Sequence, residues 1–85
     1  MDESTYSIIF TGTELDVCKQ ATEAYGEAEL KAKAFRNGFL VELDFDQVVG
    51  LIDSLRYYKR LSITGRVFTT AQIDSTVATL TIFTR

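Results

Sequence analysis

Apolar and polar side chains alternate with a period of two on both sides of the Asn37-Gly38 dipeptide, over residues 28–45. An Asn-Gly pair between two such segments is the strongest short-range signal for a β-hairpin. If this pair forms a two-residue turn, opposite charges meet on one face of the hairpin and apolar side chains on the other. The predicted pairs are Arg36–Phe39, Ala34–Val41, Lys33–Glu42, Ala32–Leu43, Lys31–Asp44 and Leu30–Phe45.

A rival interpretation continues the preceding helix as far as residue 36. Ala, Glu, Leu and Lys are strong helix formers, and Ala32 and Phe35 would extend the apolar stripe of that helix. Gly26 would then lie inside the helix at a cost of about 1 kcal/mol, and Leu30 would point away from the apolar face. The hairpin is favoured, and one long first helix in a β-α-β-α-β-β order stays open as the alternative.

The segment before the hairpin predicts a strand followed by a helix. Residues 5–11 are rich in β-branched and aromatic side chains, which is typical of a strand. Thr13 is predicted to cap the helix, with Glu14 in its first turn, where the helix dipole favours anions. Gly26 is the predicted C-terminal cap. The apolar face of this helix comprises Val17, Cys18, Ala21, Ala24 and Tyr25.

The segment after the hairpin predicts a second helix and then two more strands. The helix covers residues 46–59, with Asp44 or Asp46 as its cap. Residues 61–70 and 76–84 read as an antiparallel pair of strands joined by a loop over residues 71–75. The buried stripe of the second helix comprises Val48, Leu51, Ile52 and Leu55.

The predicted order β-α-β-β-α-β, with an additional C-terminal β-strand, is that of a ferredoxin-like two-layer α+β sandwich. The 85 residues make a single domain spanning residues 1–85. No run of 18 apolar residues could cross a membrane, and the first residues are acidic where a signal peptide is basic. The expected location is therefore cytoplasmic, without a membrane contact.

Several kinds of chemistry are excluded by residue types that this chain lacks. It has no His and a single Cys, Cys18, so a Cys–His dyad, an internal disulfide and a structural zinc site cannot form. The five glycines are scattered, so no phosphate-binding loop is present. The carboxylates around Asp44 and Asp46, with Glu42 and Asp53, do not follow the calcium-loop pattern. The sequence predicts no enzyme, no cofactor and no metal site.

Residues 36–45, RNGFLVELDF, resemble the third-strand motif of RNA-recognition domains, R/K-G-F-x-F-V-x-F. This resemblance implies a sheet surface that binds nucleic acid. The predicted register, however, places Leu40, Glu42 and Asp44 on the face where stacking aromatic and basic groups are needed. The sequence pI of about 4.8 also opposes phosphate binding. Phe39 and Phe45 are therefore predicted to be core residues.

Charge is distributed unevenly along the chain. Residues 1–30 carry seven acids and one base, whereas residues 31–85 carry eight bases and five acids. The densest basic and aromatic cluster lies at the end of the predicted second helix, and Tyr and Arg are common interface anchors. The residues predicted to contact a partner are Arg56, Tyr57, Lys59 and Arg60.

The expected function is that of a small non-enzymatic module, an inhibitor, adaptor or regulatory subunit, that binds another protein. The predicted terminal strand over residues 76–84 could pair with the partner or, in a homodimer, with a second copy. One alternative is nucleic-acid binding through the basic half of the chain. Another is that the acidic residues 14–29 mimic nucleic acid and block a DNA- or RNA-binding protein.

Overall fold

The computed structural model describes residues 5–25, 30–61 and 67–84. This part of the chain forms an α+β fold with three strands, three α-helices and a terminal 3-10 helix. The elements, in chain order, are β1 (Thr5–Phe10), α1 (Gly12–Tyr25), β2 (Ala32–Phe35), β3 (Gly38–Asp44), α2 (Phe45–Lys59), α3 (Thr70–Thr81) and the 3-10 helix (Ile82–Thr84).

The three strands form an antiparallel sheet in the order β1-β3-β2. Side chains alternate across it, so that Ile8 is buried whereas its neighbour Ile9 is 54% exposed. Val41 and Leu43 of β3 are buried on the same face as Ile8, and they belong to one core cluster with the apolar stripes of the helices. The helices therefore cover one face of the sheet, and the other face is open. This arrangement is consistent with a two-layer α+β fold.

The predicted hairpin is confirmed, and the rival long helix is wrong, because Ala32–Phe35 forms a strand. The predicted register is wrong by two residues, since Val41 lies opposite Ala32 rather than Ala34. The turn consists of Arg36, with φ 54°, and Asn37. A shift of two residues returns each side chain to the same face, so the predicted faces are correct although the pairs are not.

Gly38 belongs to β3 instead of the turn because β1 approaches its backbone closely. A Cβ atom at this position would lie 2.6 Å from the carbonyl oxygen of Phe10. Only a glycine fits this contact, which explains why the turn lies one residue earlier than the Asn-Gly pair suggests. The predicted pair of Lys31 with Asp44 is also wrong, because β2 begins at Ala32 and its register sets Ala32 opposite Val41.

The cap of α1 lies two residues earlier than predicted, because it is Thr11 and not Thr13. The amide of Glu14 donates to Oγ1 of Thr11 at 3.1 Å, and the amide of Thr11 donates to Oε1 of Glu14 at 2.9 Å. These two bonds form a capping box. The helix buries Leu15, Val17, Cys18 and Ala21, whereas the predicted core residues Ala24 and Tyr25 are exposed. The predicted cap Gly26 lies outside the described residues.

Helix α2 confirms the prediction closely. Asp44 is the cap: its Oδ1 accepts from the amide of Gln47 at 2.7 Å, and its amide donates to Oε1 of Gln47 at 2.8 Å. Asp46, the other candidate, lies in the first turn. The predicted stripe is buried together with Tyr58, whose hydroxyl accepts from the amide of Val67 at 3.1 Å.

The strand predicted over residues 76–84 and the loop over residues 71–75 are wrong, because α3 covers most of both. Thr69 and Gln72 form a third capping box. The hydroxyl of Thr76 donates to the carbonyl of Gln72, four residues earlier, and Thr79 and Thr81 make the equivalent bonds. Threonine hydroxyls satisfied in this way are tolerated in a helix, where β-branched residues are otherwise disfavoured.

The other predicted C-terminal strand, over residues 61–70, falls partly on residues that the structure does not describe. Residues 62–66 lie outside the described part of the chain. Leu61, Val67 and Phe68 belong to no strand, and Thr70 begins α3. The described elements after β3 are therefore helical.

Candidate functional site

The end of α2 and the end of α1 bring two exposed tyrosines and an arginine together. The ring centroids of Tyr25 and Tyr57 are 5.8 Å apart with an interplanar angle of 40°, and the guanidinium carbon of Arg60 lies 5.5 Å from the Tyr57 ring centroid. Tyr25 is 45% exposed and Tyr57 is 53% exposed. Tyr25, Tyr57 and Arg60 are here called the aromatic patch.

Helical geometry explains the composition of this patch. Tyr57 and Arg60 are three residues apart on α2, so their side chains are neighbours on the helix surface. Arg60 is also the C-terminal cap residue of α2, where a cation interacts favourably with the helix dipole. A guanidinium over an aromatic ring adds a cation–π attraction. The patch is therefore held in place by contacts within the protein while its rings remain open to solvent.

The four predicted contact residues all lie in the last turns and at the C-terminal cap of α2, and their side chains make different contacts. Nζ of Lys59 lies 2.6 Å from Oδ1 of Asp74 on α3, so the charge of this lysine is partly neutralised. Arg56 lines a shallow groove with Asp53 on α2 and Thr84 in the 3-10 helix. Tyr57 and Arg60 thus contact each other, Lys59 pairs with Asp74, and Arg56 lines a groove.

Tyr25 is the patch residue that sequence reasoning missed. The helical spacing assigned it to the buried stripe of α1, but this stripe ends at Ala21. A tyrosine in the last turn of an amphipathic helix often leaves the core, because its ring carries a polar hydroxyl group. Its contact with Tyr57 depends on how α1 and α2 pack, and periodicity within one helix does not show this.

A second exposed surface lies on the open side of the sheet. Phe35 of β2 is 38% exposed, and the guanidinium carbon of Arg36 lies 5.4 Å from its ring centroid. Ile9, Phe35 and Gly38 line a shallow groove of about 310 Å³ there. Every residue of β2 is exposed, and no described strand pairs with its outer edge. This surface therefore combines a sheet edge that no described strand covers with a second aromatic and arginine pair.

The structure assigns no metal or nucleophile site to the residues it describes. Within the described ranges, no group of three or more acidic, Cys or His side chains is arranged to hold a metal ion. Cys18 is buried, and desolvation, with a smaller contribution from the charge of Glu14, raises the pKa of its thiol from 9.0 to about 12. A thiol of this kind is protonated near neutral pH and is a poor nucleophile.

The phenylalanines of the RNA-recognition resemblance are only partly in the core. Phe39 is half-buried and packs against the core cluster, but Phe45 is 48% exposed, so the prediction that both are core residues is wrong for Phe45. Leu40 and Glu42 lie on the open face of β3, as predicted. The stacking aromatic side chains of that motif are therefore missing from this strand's open face.

Comparisons with family models, with curated proteins and with solved structures find no match to this chain. None of the helices formed by residues 5–25, 30–61 and 67–84 is long and apolar enough to span a bilayer.

Proposed function

We propose that this chain is a small non-enzymatic module that binds another protein through its aromatic patch. The observation that carries the proposal is the position of Tyr57, which lies between the Tyr25 ring and the Arg60 guanidinium while 53% of its surface stays exposed. Tyrosine and arginine are enriched among residues that dominate interface energies. Side chains that are already ordered lose less conformational entropy when a partner binds.

The charges around the patch favour a partner surface that is acidic. The side chain of Arg56 forms no ion pair or hydrogen bond within the described residues, and the guanidinium of Arg60 forms none there besides its contact with the Tyr57 ring. Lys59 contributes less, because Asp74 partly neutralises it. Carboxylates of a partner could pair with the two arginines at the rim, which affects the association rate and specificity more than the affinity.

The edge of β2 offers a second way to contact a protein, and it replaces the predicted edge strand at residues 76–84. An exposed edge presents unpaired backbone groups to an incoming strand. Lys31 and Lys33 flank this edge and would repel a second copy paired through the same edge. A homodimer through β2 is therefore disfavoured, and an acidic extended segment is favoured.

Nucleic-acid binding is the alternative function, and one observation favours it. Lys33, Phe35 and Arg36 place two cations beside an exposed aromatic ring at the sheet, a combination that stacks bases and contacts phosphates. Glu42 on the same face opposes it. The two functions separate experimentally, because this surface and the aromatic patch lie on different elements.

The deciding experiment is affinity capture with the tagged chain, with and without nuclease, in two matched double variants. Tyr57→Ala/Arg60→Ala removes the aromatic and arginine pair of the patch, and Phe35→Ala/Arg36→Ala removes the equivalent pair at the sheet. We expect the wild type to capture a stoichiometric protein that remains bound after nuclease treatment. The sheet variant should capture it equally well, whereas the affinity of the patch variant for it should be at least about tenfold, or 1.4 kcal/mol, weaker. Equal capture by both variants would refute the proposal that the partner binds to the aromatic patch. Loss of all captured material on nuclease treatment would support the alternative.

A further inference from the structure

A cleft of about 440 Å³ lies between α1, the end of β3 and the first half of α2. Its apolar lining comes from Leu30, Leu43 and Leu51. Leu43 and Leu51 are core residues, and Leu30 packs against the core. Small-molecule sites typically have volumes of 300–1,000 Å³, apolar walls and a few polar groups that set the orientation of the ligand. The size and walls of this cleft meet that description.

Two positions on α2 make this cleft unusual. A Cβ atom added at Gly50 would meet no atom within 4 Å, so this glycine leaves open space in the middle of a helix. Ser54, one turn later, lines the same cleft and is only 7% exposed. Its hydroxyl has no hydrogen-bond partner among the described residues. Leaving a buried hydroxyl unpaired costs about 1–3 kcal/mol, so nearly all of them are paired in folded proteins.

Other buried or half-buried hydroxyls in the helices of this protein are satisfied internally. Thr22 donates to the carbonyl of Lys19, and Thr76 donates to the carbonyl of Gln72. Ser54 differs from them because its hydroxyl is free at the wall of a cleft. A ligand group that donates to or accepts from this hydroxyl would satisfy it.

The charge of the cleft selects the kind of ligand. Acidic side chains line the cleft without basic ones: the described lining residues include Asp44 and Asp46 but no lysine or arginine. Oδ1 of Asp44 accepts from the Gln47 amide, and Asp46 is exposed without an ion pair within the described residues. Tyr25, which is 45% exposed, also lines this cleft, and an aromatic ring attracts a cation. A positively charged group is therefore favoured over a carboxylate or a phosphate.

The spacing along α2 sets the order of these features. Asp46, Gly50 and Ser54 follow one another at four-residue intervals on one side of the helix. The distance along the helix axis from Asp46 to Ser54 is about 12 Å. We propose that this cleft binds a small organic amine, with its ammonium group near Asp46, its apolar body over Gly50 and a polar group hydrogen-bonded to Ser54. This binding site shares Tyr25 with the aromatic patch but involves neither Tyr57 nor Arg60, and it does not depend on the protein-binding function.

Tyramine is a suitable probe because it carries an ammonium group at one end, a hydroxyl group at the other end and an aromatic ring between them. Two analogues each lack one of them: tyrosol has no ammonium group, and 2-phenylethylamine has no phenol hydroxyl. Binding is followed by amide chemical shifts in NMR spectra of the labelled full chain, up to about 10 mM, at which a ligand with a Kd near 1 mM is about 90% bound. We expect saturable shifts at Gly50, Leu51 and Ser54, and an affinity for tyrosol about tenfold or more below that for tyramine.

Three variants test the assignment of each ligand group. Gly50→Leu fills the open space with a good helix former, and we expect it to weaken tyramine at least about tenfold. Its matched control is Val49→Leu, at the neighbouring exposed position, which should change nothing. Asp46→Asn should weaken tyramine but not tyrosol, and Ser54→Ala should make tyramine and 2-phenylethylamine bind equally.

Two results would overturn the proposal. One is the absence of saturable shifts in the cleft with the wild-type chain. The other is an unchanged tyramine affinity in Gly50→Leu, provided that its circular dichroism spectrum matches that of the wild type. Because none of these variants alters Tyr57 or Arg60, failure of the amine site would leave the protein-capture experiment unaffected.

Discussion

Thr79 on α3 donates a hydrogen bond of 2.9 Å from Oγ1 to Oε2 of Glu14 on α1, across 65 positions of sequence. The other carboxylate oxygen, Oε1, accepts from the Thr11 amide at 2.9 Å in the capping box of α1. A single carboxylate thus caps one helix and holds another against it. This contact connects the C-terminal helix to the part of the fold that the sheet and α1 define.

Removal of the Glu14 carboxylate should therefore cost more than removal of either partner. We expect Glu14→Ala to lower the free energy of unfolding by about 1–3 kcal/mol, because it loses one of the two capping-box bonds and the charge-assisted hydrogen bond from Thr79. Thr79→Ala loses only the second of these and should cost about 1 kcal/mol. Urea unfolding measures both values.

The double variant Glu14→Ala/Thr79→Ala provides the control for this prediction. Once Glu14 is gone, Thr79 keeps only its 3.2 Å hydrogen bond to the carbonyl of Ser75 in its own helix, so the double variant should be only slightly less stable than Glu14→Ala alone. Strict additivity of the two single effects would show that the Glu14–Thr79 bond contributes nothing to stability.

The two glycines Gly38 and Gly50 should respond oppositely to alanine. Gly38→Ala places a Cβ atom 2.6 Å from the Phe10 carbonyl oxygen, so β1 and β3 must separate, and we expect a loss of about 1–3 kcal/mol. Gly50→Ala meets no atom and replaces a glycine in a helix interior, which should add about 0.5–1 kcal/mol. Thermal and urea unfolding of both variants test the pair, and similar changes in the two would contradict the close β1–β3 contact.

The sequence predicted the hairpin and the two first helices well because local chemistry determines them. Period-two alternation fixes the faces of β2 and β3, and the stripe from Val48 to Leu55 identifies α2. The exact register was not predictable from the hairpin alone. It depends on the contact of Gly38 with Phe10, which is on a strand remote in sequence.

The failure at α3 has a different cause. Its Thr- and Val-rich composition resembles a strand, and the alternation within residues 76–84 supports that interpretation. The overlooked signal was Thr69-x-x-Gln72, since the same spacing of a capping residue and a Glu or Gln starts α1 and α2. The aromatic patch was only half predictable, because Tyr25 joins it through the packing of two helices.

The capping box of α3 provides a direct test of this helix. Thr69→Ala removes the oxygen that accepts from the Gln72 amide, and we expect a loss of about 1 kcal/mol with reduced helical signal in circular dichroism. Ser75→Ala, at an exposed position within α3, is a control for the loss of a hydroxyl group outside the cap. If residues 76–84 formed a strand, Thr69→Ala would leave the helical signal unchanged.

Cys18 should make the stability of this protein fall at high pH. Burial, followed by the charge of Glu14, raises the pKa of its thiol from 9.0 to about 12. Between these two pH values the unfolded chain loses the thiol proton while the folded chain keeps it. The folded state then binds more protons than the unfolded state, so the free energy of unfolding decreases as the pH rises from about 9 towards about 12. Below pH 9 this contribution is fully present.

Cys18→Ala isolates the contribution of this thiol to the pH dependence of stability. At pH 7 the wild type should be more stable than this variant, because the substitution leaves a small cavity in the core. The difference between the two proteins, measured by urea unfolding at pH 7 and pH 10, should shrink at the higher pH. A thiol reagent should also label the wild type only as fast as the chain opens. Rapid labelling of the folded protein, or a stability difference that is constant with pH, would contradict the burial of this thiol.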